Sequence, residues 1–165
     1  MSIDFFSASC QEATITSTKF GICDDQDGAK AYTDQANSTN WVATVINNNA
    51  KPVTFTAIDN CIIIYKKDTN DKESSCDGMI TFDNSLYLIE LKNVREGWIA
   101  KAIDQLENTI KLIQARHDIS AIRNKKVVAC NKKHPHFTVL DPARKKQFFD
   151  KYQFRLDVQA HIVIK

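Results

Sequence analysis

CDGMITFDNSLYLIELKN, residues 76–93, is the stretch whose reading decides the fold. Two short apolar runs, Gly78 to Phe82 and Leu86 to Leu91, flank Asp83-Asn84, a pair suited to a tight turn, and so predict a β-hairpin. With Phe82 opposite Ser85, Asp77 falls opposite Glu90. Side chains alternate along a strand and directly paired residues share a face. Asp77, Glu90 and Lys92 therefore meet at the open end of the hairpin, and a turn one residue longer or shorter would separate them.

Like charges directly opposite one another are destabilising unless something compensates. A hard divalent cation would do so, since Mg²⁺ takes oxygen ligands and is often held by one or two carboxylates plus substrate phosphates. Lys92 could then position a water or neutralise charge developing on a phosphate. These are the parts required for metal-assisted phosphodiester hydrolysis. The plainer alternative is a salt-bridged strand end in which Lys92 simply neutralises the acids.

Asp77, a 12-residue spacer and Glu90-Leu91-Lys92 resemble the motif of the PD-(D/E)xK nucleases, the restriction-endonuclease-like superfamily. The resemblance implies an α/β fold, a central mixed β-sheet flanked by helices in the order α-β-β-β-α-β. It also implies Mg²⁺, replaceable by Mn²⁺, held by Asp77, Glu90 and the Leu91 carbonyl. Lys92 would be the group facing the attacking water. Gln105 stands where several branches place a helical glutamine near the metal. The chain departs from the pattern in having Cys76 where a proline is usual and Thr109 where some branches carry a tyrosine. Glu12 is the first candidate for an upstream acid. The expected activity is hydrolysis of DNA. The rival is a catalytically silent relative serving as a nucleic-acid-binding or protein-interaction subunit, such as a defence-complex component or an immunity-type partner. No separate target-recognition domain is legible, which suggests a homodimer or a partner protein.

At 165 residues, with 43% hydrophobic and 25% charged residues, the chain reads as one globular domain. Residues 1–50 are a variable N-terminal part and about 52–165 the nuclease-like core. The longest apolar run, Cys61 to Tyr65, is too short for a membrane span. MSIDFFSAS lacks the basic and long apolar regions of a signal peptide. Five cysteines without a C-x-x-C predict reduced thiols in a cytoplasmic protein.

The net charge of +2 conceals a polarity: residues 1–90 carry −7 and residues 91–165 carry +9. The basic half holds Lys125-Lys126, Lys132-Lys133 and Arg144-Lys145-Lys146, candidate contacts for a phosphate backbone. A solvated face, or the acidic half itself, is the competing use for these charges.

Elsewhere, strand-like patches fall at Ala13–Thr18 and Trp41–Ile46, with a loop from Asp24 to about Asn40. Further β-rich runs fall at Val53–Ile58 and Cys61–Lys66. DDQDG at 24–28 reads as a solvated turn, since an EF-hand frame would misplace its ligands. From Ile99 the apolar residues recur at +3, +4, +7, +11 and +14, a helical stripe facing a sheet. Trp98, beside that stripe, is expected in the core. Lys125–Cys130 reads as a strand. Asp141 and Pro142 read as an N-cap and first position of a short basic helix to Tyr152, and Phe154–Ile164 as a last strand. Cys130, His134 and His136 have no second ligand pair for zinc. Phosphate-binding glycine loops are absent.

Overall fold

The computed structural model describes residues 3–165, so the first two residues of MSIDFFSAS lie outside the described residues. The hairpin at its centre joins β5 (Gly78–Phe82) to β6 (Ser85–Lys92). The turn pairs Phe82 with Ser85, and the register runs through to Gly78 opposite Ile89. Asp83 takes a left-handed backbone (φ 46°), which aspartate tolerates better than most residues. Gly78 is equally constrained, because a Cβ there would meet the Phe55 ring at 2.5 Å. That close approach seats β4 (Thr54–Ala57) against the start of β5.

A five-stranded sheet grows around the hairpin in the order β4-β5-β6-β7-β8. β4, β5 and β6 are antiparallel; β7 (Asn124–Asn131) and β8 (Arg155–Val158) continue parallel to β6. Parallel neighbours need crossovers, supplied by α1 (Ile99–Gln114) and α2 (Pro142–Tyr152). The α1 stripe buries Ala102, Ile103, Leu106, Thr109, Ile110 and Ile113. Asp141 caps α2 by accepting from the Ala143 N–H, with Pro142 at its first position.

Both helices cover one face of this sheet, meeting Met79, Leu86, Leu88, Val127 and Ala129. Among the described residues no α-helix precedes β4, so the first helix of the expected α-β-β-β-α-β order is missing, and where the family pattern implies helices the other face is covered by a second sheet. Its order is β2-β1-β3-β9, from β1 (Lys19–Cys23), β2 (Tyr32–Asp34), β3 (Ala43–Ile46) and β9 (His161–Val163). The core between the sheets joins Phe20, Ile22 and Val45 to Ile80, Tyr87, Ile89 and Val128. The molecule is thus an α/β protein of two mixed sheets and two helices, and residues 3–50 contribute a layer of its core.

Several sequence expectations shift. Ala13–Thr18 forms a single bridge, Ile15 to Val53, rather than a strand, and the 24–40 loop contains β2. Cys61–Lys66 is no strand: Ile62 turns back to bond the Ile58 carbonyl, and Ile64 dives into the helix-side core while Tyr65 stays exposed. The alternation over 154–164 is real but divides at Gln159-Ala160, so β8 and β9 join different sheets. Cys10 and Cys61 form a disulfide, correcting the expectation of reduced thiols throughout. The fold brings the segment before β1 beside the turn after β4, a proximity that cysteine spacing does not encode. Closing this 51-residue separation stabilises the folded chain by about 4 kcal/mol in the loop-entropy account. Cys23, Cys76 and Cys130 are free and buried. Among the described residues, no helix is long and apolar enough to cross a membrane.

Candidate active site

Met79 and Leu88 face α1, so Asp77, Glu90 and Lys92, at two-residue steps from them, lie on the helix-covered face of the sheet. Asp77 precedes β5, and Glu90 and Lys92 end β6. Asp77 Oδ2 accepts the Leu91 N–H at 2.7 Å. Lys92 Nζ lies 2.9 Å from Glu90 Oε2 and donates to Gln105 Oε1 at 2.6 Å. Gln105 descends from α1, and its Nε2 donates to the Ser75 carbonyl at 3.4 Å. That second bond fixes which end of the amide faces Lys92. An ammonium has three protons, so after these two contacts one remains, on the side chain through which the site reaches solvent.

The carboxyls are deeply placed: Asp77 is 8% exposed and Glu90 2%. They come within hydrogen-bonding reach of each other. Two carboxylates both accept, so this contact satisfies neither unless a proton or a cation lies between them. Glu90 Oε1 is one of two buried side-chain oxygens without a partner among the described residues. Burial first, and the Glu90 charge second, push the Asp77 carboxyl far above its ordinary range. Burial also raises Glu90, to about 7, against the pull of Lys92. Since Glu90 holds the ammonium, Asp77 is the partner that keeps a proton when no cation is bound.

This donor set fits a hard divalent ion. A buried, unpartnered carboxylate oxygen beside a second carboxyl is what such an ion would relieve, and Mg²⁺ fills its remaining positions with water or substrate oxygen. Among the described residues no three His, Cys, Asp or Glu side chains gather to hold a metal. A two-carboxylate site supplemented by a strand carbonyl is therefore the available form. Leu91 lies between the two motif side chains, its own side chain turned into the core between the sheets.

Two further polar residues shape this end of the sheet: Thr109, which the sequence marks only as a departure from the family pattern, and Asn131, which it does not single out. Thr109, fully buried, accepts the Cys76 N–H at 2.7 Å and donates to the Gln105 carbonyl at 2.8 Å. It ties the residue before Asp77 to the helix turn that carries Gln105. A hydroxyl inside the buried stripe, four residues after Gln105, was the available signal. Asn131, also fully buried, donates to the Val94 carbonyl and accepts from Val94 and Lys133 N–H groups, pinning together the loops that follow β6 and β7. Glu12, the candidate upstream acid, is engaged elsewhere, by the Thr33 backbone N–H and hydroxyl. His134 binds the Arg95 carbonyl, while Cys130 is sealed in the other core.

The basic clusters divide by position. Lys132-Lys133 directly follow Asn131, and the Lys132 N–H bonds the Lys92 carbonyl at 2.9 Å, so this pair borders the site. Lys132 Nζ is held by the Thr39 carbonyl. Lys125 and Lys126 pair with Leu86 and Tyr87, at the turn end of β6. Lys125 donates to the Ile119 and Ile122 carbonyls. Lys126 and Lys145 share Asp157, at 3.0 and 3.4 Å, and Lys146 meets Asp150. Lys133 and Arg144 make no ion pair among the described residues.

Compared with known proteins, the chain matches no family model, no curated protein and no solved structure. The fold and site therefore define a class by geometry alone: an α/β protein with a buried carboxylate pair and a lysine at one end of a mixed sheet.

Proposed function

We propose that the protein is a Mg²⁺-dependent nuclease that hydrolyses DNA phosphodiester bonds, built on a PD-(D/E)xK, restriction-endonuclease-like core formed by β4–β6, α1, β7, α2 and β8. The observation that carries this reading is the buried Asp77–Glu90 pair, with Glu90 Oε1 unpartnered and Lys92 alongside. A purely structural ion pair between Lys92 and Glu90 has no use for a second buried acid against it. Asp77, Glu90 and the Leu91 carbonyl would hold the ion, which supplies Lewis-acid polarisation of the phosphate and a more acidic water. Lys92 offers its remaining proton to the attacking water or a phosphate oxygen. Gln105, braced by Ser75 and Thr109, keeps the ammonium turned toward Glu90. Lys132-Lys133 supply positive charge beside the site.

The test is cleavage of end-labelled single- and double-stranded DNA and RNA with Mg²⁺, with Mn²⁺ and with EDTA. Cutting should require the cation and disappear in Glu90→Ala and Lys92→Ala. Wild-type protein that cuts none of these substrates, with the same substitutions altering only stability, would favour the catalytically silent relative. Cutting that persists in both variants would place the chemistry elsewhere.

A further inference from the structure

Beside the site, the loops after β6 and β7 enclose a cleft of about 450 Å³, lined by Arg95, Glu96, Trp98, Ile99, His134 and Thr138. Its β7 side is firmly held. The Lys132 N–H bonds Lys92, the Thr138 N–H bonds Val158, and the Pro135 carbonyl accepts from Ala160. The His134 ring meets the Arg95 carbonyl across the cleft, and Asn131 locks both loop bases. On this braced loop Phe137 and Val139, the neighbours of cleft-lining Thr138, are 55% and 80% exposed. Large apolar side chains gain nothing by being held in water, and two of them on one short braced loop beside a cleft offer a surface to a ligand.

The charge around the patch selects the occupant. Residues 132–140, KKHPHFTVL, contain two lysines, two histidines and no acid, and Glu96 is the one carboxylate lining the cleft. A partner that is anionic along its length and presents flat apolar faces matches this surface, whereas an apolar protein segment would leave the cations without counter-charge. Arg95 follows Lys92 by three residues, so its Cα lies within about 11 Å of the Lys92 Cα, and one strand can reach both. In a duplex the bases are stacked inside and present only their edges in the grooves; a stacking platform needs an unpaired base.

We infer that the Arg95–Thr138 cleft and Phe137 seat an unpaired base, so that the substrate entering the Lys92 site is single-stranded nucleic acid or a single-stranded stretch of a longer one. This rests on the nuclease reading for its placement but is measured without catalysis. Fluorescence anisotropy in EDTA would compare one labelled oligonucleotide, its blunt duplex, and inorganic polyphosphate as a polyanion without bases. The single strand should bind at least tenfold more tightly than the duplex. Phe137→Ala should lower single-strand affinity about tenfold and leave polyphosphate binding unchanged. Thr138→Trp, which fills the cleft from a partly exposed position, should do the same, and Val139→Ser should do so more weakly. Equal affinity for strand and duplex, or Phe137→Ala without effect on the single strand, would overturn the inference. Base-dependent binding in a protein that never cuts would leave this inference standing while the nuclease reading falls. Cutting of blunt duplex with no single-strand preference would do the reverse.

Discussion

The two ends of the central hairpin carry similar charges and treat them in opposite ways. At the turn end the acid has a cation, Asp83 meeting Lys51 at 2.8 Å, and on edge strand β8 Asp157, level with Val128 and Ile89, meets both Lys126 and Lys145. At the open end two carboxyls, far more deeply buried, face the single ammonium of Lys92, and one oxygen has no partner. Matched, half-exposed pairs add little stability and cost little. A buried carboxyl with no cation costs a great deal unless it keeps a proton or a ligand completes it. The difference separates charges matched within the fold from charges that the proposed ion would match.

The sharpest way to break the comparison is to remove charge at each end and follow hydrolysis. Asp77→Asn, Glu90→Gln and Lys92→Ala should each lower the rate by about 10²–10³, the usual loss for one well-placed electrostatic group. Lys51→Ala at the turn should leave the rate within twofold. A comparable loss at both ends would mean that the assay reports folding rather than chemistry.

Stability should answer with opposite sign at the unmatched carboxyls and at the matched Asp157. Asp77 and Glu90 titrate above their ordinary range, so without divalent cation the folded state holds protons that the unfolded chain releases. Their contribution falls as pH rises from about 4 through the raised values. Asp157 is held below its ordinary range because hydrogen bonding and attraction from Lys126 and Lys145 outweigh its burial. Its contribution is present above the unfolded carboxyl pKa and is lost as pH falls through the lowered value. Asp77→Asn should therefore stabilise the cation-free protein at pH 8 by more than about 1 kcal/mol, and its Oδ1 still accepts the Leu91 N–H. Mg²⁺ should stabilise wild type and not the variant. Denaturant melts between pH 4 and 9 measure both effects, and a wild-type curve that rises steadily to pH 9 would contradict the proton assignment.

A smaller effect belongs to the matched carboxylate on β8. Asp157→Asn leaves Lys126 and Lys145 without a counter-charge and should cost about 1 kcal/mol at pH 7. The loss should shrink toward pH 3, where the wild-type carboxyl is itself neutral. A pH-independent loss would trace the effect to packing of β8.

How much of this was legible follows the reach of each signal. The hairpin register is local, set by two turn residues, and the structure has Phe82 opposite Ser85 as the sequence implies. The α1 stripe and the Asp141-Pro142 helix start were equally local. Of the second sheet only β3, within the strand-like Trp41–Ile46, was legible by itself; β1 and β2 are short strands without alternation, and β9 continues an apparent single strand that changes sheets at Gln159-Ala160. Cys10 and Cys61 meet only through that tertiary arrangement. At the site, Asp77, Glu90 and Lys92 could be read from strand periodicity. The roles of Thr109 and Asn131 could not, since each acts through backbone groups brought near by folding. The ion pairs that occupy Lys126 and Lys145 were hidden for the same reason, which is why basic runs in sequence overstate the charge left free.

The most direct measurement is an anomalous-difference map from crystals soaked in Mn²⁺, with wild type and Glu90→Gln collected alike. One peak bound by the carboxyls of Asp77 and Glu90, beside the Lys92 ammonium and lost in Glu90→Gln, is the result expected. A wild-type map with no peak between those carboxyls, from protein that cuts nucleic acid in the same Mn²⁺ buffer, would contradict the assignment of the site.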